Sequence, residues 1–263
     1  MELIELTRRT HLFTCKAINV LTSLQYTLRD RKKYADYTKK NVTLKNISEG
    51  ETCYILGNGP SLNRVDLSKL KGKHIITVNK FILTSMYSEL KPEYHCVIDR
   101  FILEQVKDAV KEDLEDNSSL TKFLLHRTGI DKIGRKDRAY YIYNRHFPVS
   151  EDVHPDLTRN ASTFYNVLPF TAMCAIYMGF KRIVLLGNDF SFFTARKDQH
   201  FYDIDEKKER QESLYQDLTG CSIVLLQYRA LRKYCEKHGI EIVNATEGTL
   251  LDEIKQVKLE DYL

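Results

Sequence analysis

The residue types best suited to chemistry gather in short polar clusters, each closing an apolar run. Gly57-Asn58-Gly59-Pro60-Ser61-Leu62 follows Tyr54-Ile55-Leu56 directly. Paired glycines let a backbone approach a ligand with no Cβ in the way, and adjacent N–H groups cradle an anion. Asn58 offers an amide to sugar or phosphate oxygens, and Ser61 a hydroxyl. The Walker pattern ending in Gly-Lys-Ser/Thr is absent, as is the third glycine of the dinucleotide fingerprint, so a plain tight turn is the competing reading. The next two apolar runs also close on polar residues: Ile75-Ile76-Thr77-Val78 on Asn79, and Cys96-Val97-Ile98 on Asp99. Each alone reads as a helix cap or turn former. In succession they read as a polar rim along one sheet edge. Asn166 stands shortly before Pro169, which suits a first helical turn, and such a helix start is an anion site. Ile183-Val184-Leu185-Leu186 closes on Gly187-Asn188-Asp189-Phe190, at what should be the same rim.

The elements that must position these residues follow from periodicity. The expected strands are 52–56, 74–79, 94–99, 122–126, 139–143, 182–187 and 240–244, with helices at 102–114, 169–178 and 222–238. Alternation of strands with crossover helices predicts an α/β, Rossmann-like, mostly parallel sheet flanked by helices, whose ligands collect at the strands' carboxyl ends. The polar, charged stretch from about 189 to 219 reads as a lid following the strand that ends at Asp189, a position that favours it over the alternative of a solvated surface insertion. Residues 1–48 form a separate basic helical arm ahead of the 49–263 domain, holding ten Lys/Arg against four Asp/Glu in the first 45 residues. Leu6, Phe13, Ala17, Val20, Leu21 and Leu24 recur there at helical spacing. The arm either packs on its own domain or on a neighbouring subunit of a homo-oligomer, or lies against anionic lipid.

Composition narrows the class. A hydrophobic fraction of 43% supports a sizeable core, and a net charge of +4 does not argue for nucleic acid. The six cysteines show no CxxC pair and no zinc spacing, as suits structural thiols in a reducing compartment. The start, Met1-Glu2-Leu3-Ile4-Glu5, lacks the basic and apolar regions of a signal peptide. The expectation is a cytoplasmic protein, peripheral to the inner face of the membrane through its arm. Asp203-Ile204-Asp205 has the form of a metal-clamping DxD, but it lies inside a charged run rather than at a strand's end. His126, His146 and His154 form no ligand pattern and read as structural or exposed, so no obligatory metal is expected.

The GNGPSL turn, the Asn79 and Asp99 strand ends and the GFKRIVLLGNDF unit together resemble the bacterial sialyltransferases of glycosyltransferase family 42. They are similar also to the related domain of motility-associated flagellin glycosyltransferases and to archaeal hydroxymethylpterin pyrophosphokinases. The likeness spans about Cys53 to Phe193. It implies a single GT-A-variant domain that binds a CMP-sugar. Gly57, Asn58, Gly59 and Ser61 would hold phosphate and ribose, Asn79 and Asp99 would contact nucleotide or sugar, and the helix start near Asn166 would meet the phosphate, with Asp189 at the same rim. It also implies a lid histidine as general base, which His200 matches by location, while Tyr202 would neutralise the leaving phosphate. A histidine's ordinary pKa of about 6.5 suits that task. Departures are plain: the position of Asp99 is Asn in those enzymes, their lid tyrosines align near Ser191 and Lys197, and their Thr-Ser pair reads Asn166-Val167. Sialic acid therefore does not follow.

The leading expectation is an inverting, metal-independent glycosyltransferase that takes a CMP-activated or similar donor sugar to a cell-surface glycan or glycolipid acceptor, such as lipopolysaccharide or capsule. A magnesium-dependent pyrophosphokinase-like phosphotransferase using Asp99 and Asp189 stands beside it. So does a non-catalytic nucleotide-binding subunit of a glycan-assembly complex.

Overall fold

The computed structural model describes residues 2–148, 153–191, 193–194, 201 and 213–263. Its centre is an eight-stranded sheet. The strands are β1 (Thr52–Leu56), β2 (His74–Val78), β3 (Tyr94–Val97), β4 (Lys122–His126), β5 (Ala139–Ile142), β8 (Arg182–Leu186), β9 (Glu241–Asn244) and β10 (Lys255–Gln256). Their order is β10-β9-β8-β1-β2-β3-β4-β5, with every pairing parallel. β6 (Asn144–Pro148) and β7 (Ala161–Thr163) form a separate parallel pair.

The strands are near-continuous apolar runs because both faces of the sheet are covered. Alternate residues serve opposite cores, as the period of two requires. Cys53, Ile55, Ile76, Val78, Ile183 and Leu185 face one core. Tyr54, Leu56, Ile75, Val184 and Leu186 face the other. In chain order the helices are α1 (Glu2–Gln25), α2 (Arg31–Thr38), α3 (Ser85–Leu90), α4 (Arg100–Glu115), α5 (Ile130–Ile133), α6 (Val167–Tyr177) and α7 (Leu214–Lys237). Every residue of α6 from Leu168 to Tyr177 is buried in the first core, so this helix is apolar all round and not amphipathic. On the other face, α4 buries Leu103, Val106 and Val110, spaced by three and four residues along one stripe.

The chain lays down β1 to β5 outward in one direction, then returns to place β8 on the other side of β1. Connections leaving β1 and β8 diverge, and a crevice opens at their carboxyl ends: the switch point where parallel sheets bind ligands.

The expected α/β class and seven of the eight sheet strands are present, with shorter ends. β2 stops before Asn79 and β8 before Gly187 because both residues turn left-handed, with φ of 53° and 62°. β3 stops at Val97, since Asp99 belongs to the cap of α4. The last long helix starts at Leu214 rather than 222, so the end of the expected lid is helical. A capping box explains it: Ser213 accepts from the Gln216 N–H while Gln216 returns a side-chain bond to the Ser213 N–H. The arm is helical as expected, interrupted by a π-helical turn at Tyr26–Asp30 that joins α1 to α2. Its apolar face turns outward. Leu6, Phe13, Ala17, Val20, Leu21 and Leu24 are exposed rather than packed on the domain. The domain instead takes Tyr26, whose ring meets Tyr143 at 4.6 Å, while the Tyr143 hydroxyl donates to Asp30. Among the described residues no helix is long and apolar enough to cross a membrane.

Candidate functional site

Two loops meet at the switch point and continue the β1–β8 pairing beyond the strands. The Gly57 N–H donates to Leu186 O at 2.8 Å and the Gly59 N–H to Gly187 O at 2.9 Å. A Cβ on Gly57 would sit 2.4 Å from Gly187 O, and one on Gly59 only 1.8 Å from Asp189 Oδ2. The glycines thus exist first to let one loop cross the other. Ser61 completes the seam: its N–H and its hydroxyl donate to the two Asp189 carboxylate oxygens at 3.0 and 2.7 Å. The N–H groups of Gly57, Gly59 and Ser61, which read from sequence as an anion cradle, are therefore turned to the β8 loop.

What the loop offers the crevice is the side chain of Asn58, joined from β2 by Asn79. The amide oxygens of both are buried and have no hydrogen-bond partner, and both residues line a cavity of about 150 Å³. An unsatisfied buried acceptor costs about 1–3 kcal/mol, so such atoms ask for a ligand or another reason to exist. The placement of Asn79 is built from below. Its left-handed backbone exposes a carbonyl that accepts from His95 Nε2 at 3.0 Å, while His95 Nδ1 accepts from the Thr77 hydroxyl at 2.8 Å. Full burial pushes the His95 pKa down to about 4, so the ring is neutral with its proton on Nε2. No periodicity argument singles out this histidine, which sits in an apolar run.

The β8 side is held from behind. The Asn188 N–H donates to Thr246 Oγ1 at 3.0 Å, and Asn188 Nδ2 to the buried Tyr228 hydroxyl at the same distance. The Thr249 hydroxyl donates to Asn188 O at 2.7 Å. Thr246 is thus a buried brace. Phe190 is buried with φ of 54°, a left-handed strain of about 1–3 kcal/mol for a bulky residue, of the kind concentrated at binding sites.

The remaining wall is the start of α6. Asn166 caps it, accepting from the Leu168 N–H at 2.8 Å, and Val167 and Leu168 line the cavity. Because Asn166 takes that donor and Pro169 has none, the helix meets the cavity mainly through its dipole. Asn58, Gly59, Asn79, Asn166 and Asp189 are brought together here with Val78, Asn188 and Ser191. Asp99 does not join them: it is exposed and accepts from the Phe101 and Ile102 N–H groups as the cap of α4. Gly57 and Ser61 lie behind the lining, in the loop seam. Among the described lining residues none is Lys or Arg.

Phe201 closes over the β1 loop, its N–H donating to Asn58 O at 3.0 Å and its ring 5.1 Å from that of Phe81. His200 and Tyr202, the expected catalytic pair, lie outside the described residues, as do Lys197 and the DxD at Asp203 and Asp205. Arg159 sits on the surface beside Asp156. All six cysteines are buried and none is joined in a disulfide, and burial pushes the thiols of Cys15, Cys53, Cys174, Cys221 and Cys235 up, as suits packing rather than reactivity. Among the described residues no group of three His, Cys, Asp or Glu side chains is arranged to hold a metal.

A family model described as 6-hydroxymethylpterin diphosphokinase MptE-like matches residues 27–194, which takes in β1 to β8 and both loops of the crevice. No curated protein matches the chain.

Proposed function

Since the chain belongs to the 6-hydroxymethylpterin diphosphokinase MptE-like family, we propose that it is a transferase that binds a nucleotide donor at the β1–β8 switch point and passes on the donor's sugar. The observation that carries this reading is the pair of unpartnered amide oxygens of Asn58 and Asn79, two residues that line one cavity. They ask for a ligand that brings hydrogen-bond donors, as ribose hydroxyls or an exocyclic base amine do. The α6 N-terminus, worth about half a positive charge, faces the same space and suits the phosphate.

The finer reading is a CMP-linked donor, a sialic-acid-like sugar among the candidates. In this reaction the acceptor hydroxyl loses its proton to His200 and its oxygen attacks the anomeric carbon. The bond to the phosphate oxygen breaks, the nucleotide leaves with both electrons, and the configuration inverts. Tyr202 steadies the departing phosphate. No obligatory metal is required in this scheme.

The family description favours a second reading, transfer of a diphosphoryl group from ATP. That chemistry would ask Asp99 and Asp189 for magnesium. Asp99 Oδ1 is committed to the α4 cap and both Asp189 oxygens to Ser61, which supports sugar transfer over phosphotransfer. Calorimetric titration with CMP, UMP, GMP and ATP, each with and without magnesium, separates the two. Metal-independent CMP binding is expected. Binding of ATP alone, and only with magnesium, replaces sugar transfer by diphosphoryl transfer.

A further inference from the structure

The arm helix is amphipathic the wrong way round for a part of this domain. Against the domain it places Cys15, Asn19 and Tyr26, with Thr22 and Ser23 half-buried and Asn160 Nδ2 donating to Ser23 Oγ at 3.2 Å. To the outside it turns Leu6, Phe13, Val20, Leu21, Leu24 and Leu28, each between 53% and 81% exposed. Leu6, Phe13 and Val20 recur every seven residues, and Ala17 and Leu24 follow Phe13 and Val20 by four, so they form one stripe along α1. Even the threonines near it are made apolar. The hydroxyls of Thr10, Thr14 and Thr27 donate to the carbonyls of Leu6, Thr10 and Ser23, one turn back, and so are satisfied within the helix.

Charge chooses what covers the stripe. Between Glu5 and Asp30 the sequence holds no acidic residue, but it holds Arg8, Arg9, Lys16 and Arg29, and Arg31, Lys32 and Lys33 follow at once. Acidic residues stand only at the ends of this span, at Glu2, Glu5 and Asp30, so along the stripe a second copy of the helix would add mainly like charges where paired helices need opposite ones. An anionic lipid surface complements this basic excess, and an apolar stripe on a helix of 24 residues, about 36 Å long, suits burial in the plane of the headgroups. We propose that the outer face of α1 docks this protein on anionic lipid bilayers, with the helix lying flat in the interface. The transferase cavity is not needed for this contact, so the two readings stand or fall separately.

The test is co-sedimentation of the full chain with vesicles of phosphatidylcholine alone and of phosphatidylcholine mixed with an equal part of phosphatidylglycerol. Sedimentation only with the mixed vesicles is expected, weakening in high salt. Phe13→Glu should lower the partition by about tenfold or more, from lost apolar burial. Lys16→Glu and Lys32→Glu should each lower it by roughly fivefold or more per charge. All these side chains are exposed, and unchanged thermal unfolding of each variant confirms an intact fold. Equal sedimentation with both vesicle types, or with neither, overturns the proposal. So does a lipid-free dimer in analytical ultracentrifugation that Phe13→Glu disperses, which would give the stripe to a second copy.

Discussion

At the scale of single residues, the crevice separates groups that hold the protein together from groups left open. Asn58 and Asn79 each bury an amide oxygen without a partner, so removing either should cost the ligand and not the fold. Asn58→Ala is expected to weaken nucleotide binding by roughly five- to tenfold, while unfolding in urea shows equal or slightly higher stability. A matched loss of stability would assign Asn58 to the loop's structure instead. Gly59 is the opposite case. With a Cβ aimed at the Asp189 carboxylate, Gly59→Ala should cost about 1–3 kcal/mol in urea unfolding and displace the loop. His95 gives a pH signature. Its folded pKa of about 4 lies below the unfolded value near 6.5, so below pH 6.5 the unfolded chain takes a proton that the native protein refuses. Stability from this group is fully present above 6.5 and falls toward pH 4, by about 3 kcal/mol in all. His95→Gln should flatten that part of the stability–pH curve; an unchanged slope would mean that the ring titrates normally.

At the scale of elements, caps and covers decide which residues are free for function. Asp99 closes β3 yet serves α4, holding two N–H groups of its first turn. Asp99→Ala is expected to destabilise the protein by about 1 kcal/mol and leave nucleotide affinity unchanged. A loss of affinity without a loss of stability would return Asp99 to the ligand. α6 is the element on which the cavity depends most, since its first turn is a wall and its whole length is core. Truncating the fully buried Phe170 to Ala should cost about 3–5 kcal/mol, read by urea unfolding.

At the scale of the whole molecule, the cavity lies where the chain reverses its direction of winding, and a ligand there touches the loops after β1 and β8, the end of β2 and the start of α6 at once. Such a ligand binds the folded chain and has no site in the unfolded one. The accepted nucleotide, at a hundred times its dissociation constant, should therefore stabilise the protein by about 2.7 kcal/mol. A thermal shift confined to that nucleotide checks this, and equal shifts with CMP, UMP, GMP and ATP would show a site that reads phosphate alone.

The sequence by itself determined the parallel sheet, because strands buried on both faces must be apolar throughout and the helices between them must recur at their own period. It also marked the polar rim, because Asn58, Asn79 and Asp189 end or follow such runs. β6, β7 and β10 were not legible: the last is only two residues long, and none carries a distinctive run. Tertiary structure alone decided how the rim divides. Whether Asp99 caps a helix, Ser61 holds Asp189 or the Asn58 amide oxygen stays unpartnered depends on which loops cross, and crossing is set by the β1–β8 adjacency between residues 130 positions apart. The arm teaches the same lesson. Helical spacing shows that α1 has an apolar face, but spacing carries no information on which side the rest of the chain lies. Only packing turned the polar face inward and left the leucines out.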